Sequence, residues 1–222
     1  MDLTFGSDVL GAVLTGSRAR GTATDHSDLD LVVVVAEQST PWRHDVRTAA
    51  LDQVTCTVEA LADTSTTWQR YAYRGAQVLL DRLDGQITAL VERQATPTAA
   101  EAAEWARAGL DAYVNQLYRA VKSRRDGFPE AARLDEMESI PWLLATVFAL
   151  HGRLRPYNKY LDWELATYPL SPFWTAELQP AKVAGGALRL FPAVAELARE
   201  RGHGDVLDAW GFDLALISSA AG

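Results

Sequence analysis

The stretch Leu29-Asp30-Leu31-Val32-Val33-Val34-Val35-Ala36 constrains the fold of this 222-residue chain more than any other. Branching at Cβ stiffens valine and favours extended backbone, and an apolar run without polar alternation predicts a strand buried on both faces. Val9 to Thr15, stopped by Gly16-Ser17, predicts another short strand. A third is expected at Gln53 to Leu61, where Val54, Cys56 and Val58 alternate with Thr55, Thr57 and Glu59, so that the glutamate faces away from the apolar set. Trp42 to Leu51 reads as a helix between strands, and Ser65 to Leu83 as a helix or a helix followed by a strand.

From Thr98 the pattern turns helical. Thr98 offers an N-cap just after Pro97, and Trp105, Tyr113, Leu117 and Val121 recur at helical spacing up to Arg125, before Asp126-Gly127. A second helical region runs from Pro129 to about Arg153, with Pro141 expected to kink it or to start a fresh helix. Shorter helices are expected at Tyr160 to Thr167, Phe173 to Ala181, Gly186 to Arg201 and Gly204 to Trp210. The aromatics Trp105, Tyr113, Tyr118, Trp142, Phe148 and Tyr157 read as core rather than as a ligand box. The fold class expected is α+β: a catalytic α/β domain with a small mixed sheet over residues 1–95, and an all-helical substrate- and nucleotide-binding domain over residues 96–222.

Composition removes several function classes. Acids outnumber bases 29 to 21, for a net charge of −8, and they do so on both sides of residue 95. Nucleic-acid binding depends on clustered Lys and Arg neutralising phosphates, so a nucleic-acid partner is not expected. The single cysteine, Cys56, cannot form an internal disulfide, and the four histidines (His26, His44, His151, His203) show no zinc-ligand spacing. The first residues lack the basic and apolar regions of a signal peptide, and no apolar run approaches the roughly 20 residues that span a bilayer. These features fit a cytoplasmic protein without a membrane partner, as a monomer or homodimer.

The chemistry is concentrated in Gly16-Ser17-Arg18-Ala19-Arg20-Gly21 and Ser27-Asp28-Leu29-Asp30. Gly16 lets backbone approach a phosphate closely, and the Ser17 hydroxyl can bond a phosphate oxygen. Asp28 and Asp30, alternate residues entering a strand, point their carboxylates to one face. Such a pair suits magnesium, which takes oxygen ligands and shares its shell with substrate phosphates. Glu59 on the next expected strand could complete the acidic cluster. Two lookalikes fail: Thr22 stands where a P-loop lysine belongs, and Ser17-Arg18 breaks the dinucleotide-binding glycine pattern.

Gly16-Ser17, the arginine-rich loop and Ser27-Asp28-Leu29-Asp30 together resemble the motif of the polymerase-beta-like nucleotidyltransferase superfamily, with Val58-Glu59-Ala60 fitting its third acid. Arg155-Pro156-Tyr157-Asn158-Lys159-Tyr160-Leu161 is similar to a segment of the helical domains of antibiotic nucleotidyltransferases of the aminoglycoside and lincosamide type. One departure is that only eight residues precede Val9, where such folds usually carry a helix. The resemblance implies transfer of a nucleoside monophosphate from a nucleoside triphosphate, with ATP the expected donor, to an acceptor hydroxyl, releasing pyrophosphate. Asp28, Asp30 and Glu59 would bind two Mg2+ ions, with Glu59 alternatively a general base. Gly16, Ser17 and Ser27 would hold the triphosphate.

The helical part supplies further candidates. Arg119 and Lys122, three apart on one helix face, could reach the β- and γ-phosphates, as could Lys159. Glu138, beside Ile140-Pro141-Trp142-Leu143-Leu144, could be desolvated enough to serve as a general base, with Asp135 the competing choice. The acceptor expected is a small molecule, an aminoglycoside-like antibiotic first among them, since an acidic protein attracts polycations. A protein-modifying, antitoxin-type nucleotidyltransferase and a catalytically silent nucleotide-binding module are the alternatives.

Overall fold

A computed structural model describes residues 4–221. The chain divides into two compact units, the first ending at Thr96 and the second beginning at Pro97. The fold is α+β, a mixed sheet followed by helices.

The first unit is built on a five-stranded sheet: β1 (Val9–Leu14), β2 (Leu29–Val35), β3 (Trp42–Arg47), β4 (Leu51–Thr57) and β5 (Gln77–Asp81), in the order β3-β4-β2-β1-β5. The valine run forms β2, the central strand, antiparallel to β1 and parallel to β4. Its side chains alternate between two apolar clusters. Val32 and Val34 join Val13, Cys56, Leu61, Ile87 and Val91 on one face, while Leu31 and Val33 join Val9 on the other. Burial in this first cluster pushes the Cys56 thiol up to about 12.

Short helices connect the strands: α1 (Gly16–Ala19), α2 (Val58–Ala62), α3 (Thr67–Arg70) and α4 (Gln86–Ala95). Arg70, fully buried, donates to the carbonyls of Arg93, Gln94 and Thr96 and so satisfies the C-terminal end of α4. Two expectations are corrected in this unit. Trp42 to Leu51 is not helical: it holds β3 and the turn into β4. The third strand starts earlier and stops sooner than expected, because the Thr57 side chain accepts the Ala60 amide and caps α2. Ser65 to Leu83 contains α3, a single 3-10 turn and β5, and α4 was not foreseen.

The second unit is dominated by α5 (Ala99–Arg125) and α6 (Pro129–Leu150). The Thr98 hydroxyl accepts the Glu101 amide while the Glu101 carboxylate accepts the Thr98 amide, a reciprocal cap. A three-residue connection folds α6 back against α5. At Gly109 a Cβ would stand 3.0 Å from the Thr146 Oγ1, so glycine lets the two helices approach closely. Pro141 neither ends nor restarts α6; it lies on the exposed side, where the carbonyl it leaves unbonded can meet water.

Further helices α7 (Leu161–Thr167), α8 (Pro172–Glu177), α9 (Pro180–Val183), α10 (Phe191–Glu200), α11 (Gly204–Asp208) and α12 (Phe212–Ala221) complete the unit. The last of these was not foreseen. Tyr113 and Phe148 lie in the core, but Trp142 is 41% exposed, contrary to expectation. No helix among the described residues is long and apolar enough to cross a membrane.

Candidate active site

The glycine-serine turn and the paired acids meet at one edge of the first unit. β1 ends at Leu14, the Thr15 amide donates to the Asp30 carbonyl, and α1 starts at Gly16 beside the entry of β2. Gly16 has a φ of +66°, in the left-handed region that favours glycine. A Cβ there would lie 1.7 Å from Oδ2 of Asp30, so the carboxylate occupies the space any other residue would fill. Ser17 is buried next to it. The Ser27 hydroxyl accepts the Thr24 amide at 2.9 Å, closing the loop that delivers Asp28.

Strand register identifies an acid that sequence reading passed over. β2 and β4 run parallel with Asp30 opposite Asp52, which sets neighbouring backbones about 4.8 Å apart. Asp30 shares its face with Val32 and Val34, and Asp52 shares the same face with Cys56, because side chains alternate along each strand. Oδ1 of Asp52 is buried and has no hydrogen-bond partner among the described residues; Nδ1 of His44 stands 3.6 Å away. The sequence signal was available: Leu51-Asp52-Gln53 places an acid at the start of an apolar strand, as Leu29-Asp30-Leu31 does.

Glu59 is not part of this cluster. Thr57 pairs with Val35 at the opposite end of β2, and Glu59 lies beyond it in the first turn of α2. The five residue steps from Asp52 to Thr57 span about 17 Å of strand. Its carboxylate instead suits the helix N-terminus it occupies.

A bulge in β3 brings His44 and Arg47 to the same edge. The register with β4 shifts between His44 and Val46, so His44 pairs with Val54 while Arg47 pairs with Asp52. The displaced Asp45 turns the other way, accepting from Arg43 and from the Thr55 hydroxyl, and Arg43 holds its carboxyl below the usual range.

The oxygen-donor chemistry of Asp28, Asp30 and Asp52 fits magnesium, and the partnerless Asp52 Oδ1 together with the Asp30 carboxylate seated on Gly16 are the features that an ion would use. Among the described residues no three His, Cys, Asp or Glu side chains stand together as a metal-binding group.

In the second unit, Arg119, Lys122 and Glu138 line one pocket of about 510 Å³ between α5 and α6, with Tyr118, Phe128 and Asp135. Arg119 pairs with Asp135 at 3.2 Å, Arg124 with Glu136 at 2.8 Å and Arg125 with Asp126 at 2.7 Å. Lys122 has no such carboxylate partner among the described residues, and its ammonium lies 4.9 Å from the centre of the Tyr118 ring. Glu138 is exposed, which removes the desolvation expected of it. The buried acid is Asp135, because it lies on the face of α6 that buries Ala132 and Ser139, about a turn before and after it. Lys159 lies outside this pocket, exposed on a 3-10 turn over Tyr160.

Residues 3–106 match the family model of the nucleotidyltransferase domain. A search of curated proteins finds no match. Among solved structures, a nucleotidyltransferase-like protein from Exiguobacterium sibiricum 255-15 is similar at 13% identity, with a TM-score of 0.44, over 90% of this chain and 73% of that one. The match spans just under half of the chain, so the first unit resembles a nucleotidyltransferase domain, which supports nucleotidyl transfer as the general activity.

Proposed function

We propose that the protein transfers a nucleoside monophosphate, from ATP as the expected donor, to a hydroxyl of a small cytoplasmic acceptor. The observation that carries this reading is the Asp30 carboxylate seated on Gly16 with Asp52 beside it in register. It joins a phosphate-approach turn and a pair of carboxylate oxygen donors in one place.

Asp28, Asp30 and Asp52 would hold magnesium, which when bound supplies charge neutralisation on the triphosphate and on the reacting phosphoryl group. Gly16 keeps the backbone open for close approach of a phosphate, and the Ser17 hydroxyl would bond a phosphate oxygen. The acceptor oxygen forms a bond to the α-phosphorus as the bond to the bridging oxygen breaks. Pyrophosphate leaves, and the acceptor proton passes to a carboxylate or to solvent. Among the four cations near the C-terminal end of α5, Lys122 is the one best suited to an anionic ligand, since it has no carboxylate partner among the described residues, and Arg119 is second because Asp135 engages it. A net charge of −8 favours polycationic acceptors, aminoglycosides among them, which would make the protein an antibiotic-modifying enzyme.

The test is to incubate the purified protein with magnesium and each common nucleoside triphosphate against aminoglycosides, lincosamides and protein acceptors. Pyrophosphate release and acceptor mass would be followed together. The expected result is a nucleotide mass added to a small molecule, lost in Asp28→Asn. A nucleotide added only to protein, or pyrophosphate release that Asp28→Asn leaves intact, would overturn the proposal.

A further inference from the structure

The loop between the glycine-serine turn and the acids carries two arginines, which in a phosphate-handling site would ordinarily be assigned to phosphate. Their side chains are engaged with backbone instead. Arg18 is exposed, yet its guanidinium forks onto two successive carbonyls: Nε donates to the Asp28 carbonyl at 2.9 Å and Nη2 to the Ser27 carbonyl at 2.6 Å. Arg20 is 8% exposed and works from behind the turn. Its Nη1 donates to the Gly16 carbonyl at 2.9 Å, and its Nη2 to the carbonyls of Tyr71 and Ala72 at 2.9 and 3.1 Å. The guanidinium also lies 5.3 Å from the centre of the Tyr71 ring.

We infer that Arg18 is a positioning residue for Asp28, and that Arg20 anchors the turn from which Arg18 reaches. Asp28 precedes β2, so the ladder that fixes Asp30 does not fix it. Its backbone is held on one side by the Leu29 amide bonding to Ala50 and on the other by the Arg18 fork. A planar guanidinium can satisfy both carbonyls at once, which an ammonium cannot do in the same geometry. Three links therefore run in series, from Tyr71 and Ala72 through Arg20 to Gly16, and from α1 through Arg18 to Asp28.

This inference rests on the reading of Asp28 as a metal ligand, and the sign of one effect separates it from a purely electrostatic role. Removing a cation near a metal site, with nothing else changed, strengthens metal binding. Removing a clamp on a ligand weakens it, by about tenfold for supporting partners of metal ligands. The experiment is Mn2+ titration followed by electron paramagnetic resonance, without nucleotide, on the wild type, Arg18→Gln, Arg18→Lys and Asp28→Asn. Arg18 is exposed, so its variants should fold, and circular dichroism would verify this. The expected result is Mn2+ binding weakened about tenfold in both Arg18 variants and lost in Asp28→Asn. Wild-type or tighter binding in Arg18→Gln, with Asp28→Asn still defective, would overturn the positioning role alone. Wild-type binding in Asp28→Asn would sink the metal reading, and this inference with it.

Discussion

The sheet unit and the helical unit both present charged groups, but they hold them differently. In the sheet unit, Asp30 and Asp52 are adjacent because β2 and β4 pair in parallel register. In the helical unit, α5 lines up Arg119, Lys122, Arg124 and Arg125 near its C-terminal end, and nearby acids take all but one of them. A cation that helical spacing brings to a surface is available for a ligand only where the facing helix leaves it unpaired. An acid at a sheet edge is placed instead by strand register, as Asp30 and Asp52 are. The two units therefore differ in what a substitution should do: in the sheet it should break geometry, and in the helices it should remove one charge at a time.

The largest effect should come from geometry. Gly16→Ala puts a methyl group where the Asp30 carboxylate lies and forces a non-glycine residue into positive φ. A displacement of about 1 Å at reacting groups can cost on the order of 10²-fold in rate. Gly16→Ala should therefore lower kcat at least that far while circular dichroism remains native. A variant with near wild-type kcat would break the claim that Asp30 depends on this glycine.

A smaller effect should separate Lys122 from its neighbours. Lys122→Ala should raise KM for the triphosphate by about tenfold, or about 1.4 kcal/mol, with kcat little changed. Arg124→Ala, which removes a cation already paired with Glu136, should leave KM within about twofold, as expected for an exposed pair. Equal responses from the two would show that pairing in the helical unit does not select the ligand-binding cation.

The same contrast explains what was legible in the sequence. The valine run announced the central strand, and Thr98 with Glu101 marked the start of α5, because each is a local signal acting within a few residues. β3 was mistaken for a helix because Trp42-Arg43-His44-Asp45-Val46-Arg47 is an edge strand, largely exposed, and a strand with no buried face leaves no alternation to read. The sequence points to Glu59 because the apolar alternation, read alone, continues through Thr57, which instead caps a helix. Which of the two acids meets Asp30 depends on pairing between strands more than 20 residues apart in the chain. Local pattern holds no record of that pairing. Glu138 failed for a related reason: helical spacing marked the run beside it as buried, while the packing of α6 on α5 buried Asp135 instead.

Asp52 is the acid proposed to complete the site. The most direct measurement compares metal-dependent nucleotide transfer in Asp52→Asn and Glu59→Gln, with Mn2+ affinity read in parallel on the same preparations. Asp52→Asn should lose on the order of 10²- to 10³-fold in kcat and bind Mn2+ more weakly, while Glu59→Gln should stay within about threefold of wild type in both. Full activity in Asp52→Asn together with collapse in Glu59→Gln would contradict the account.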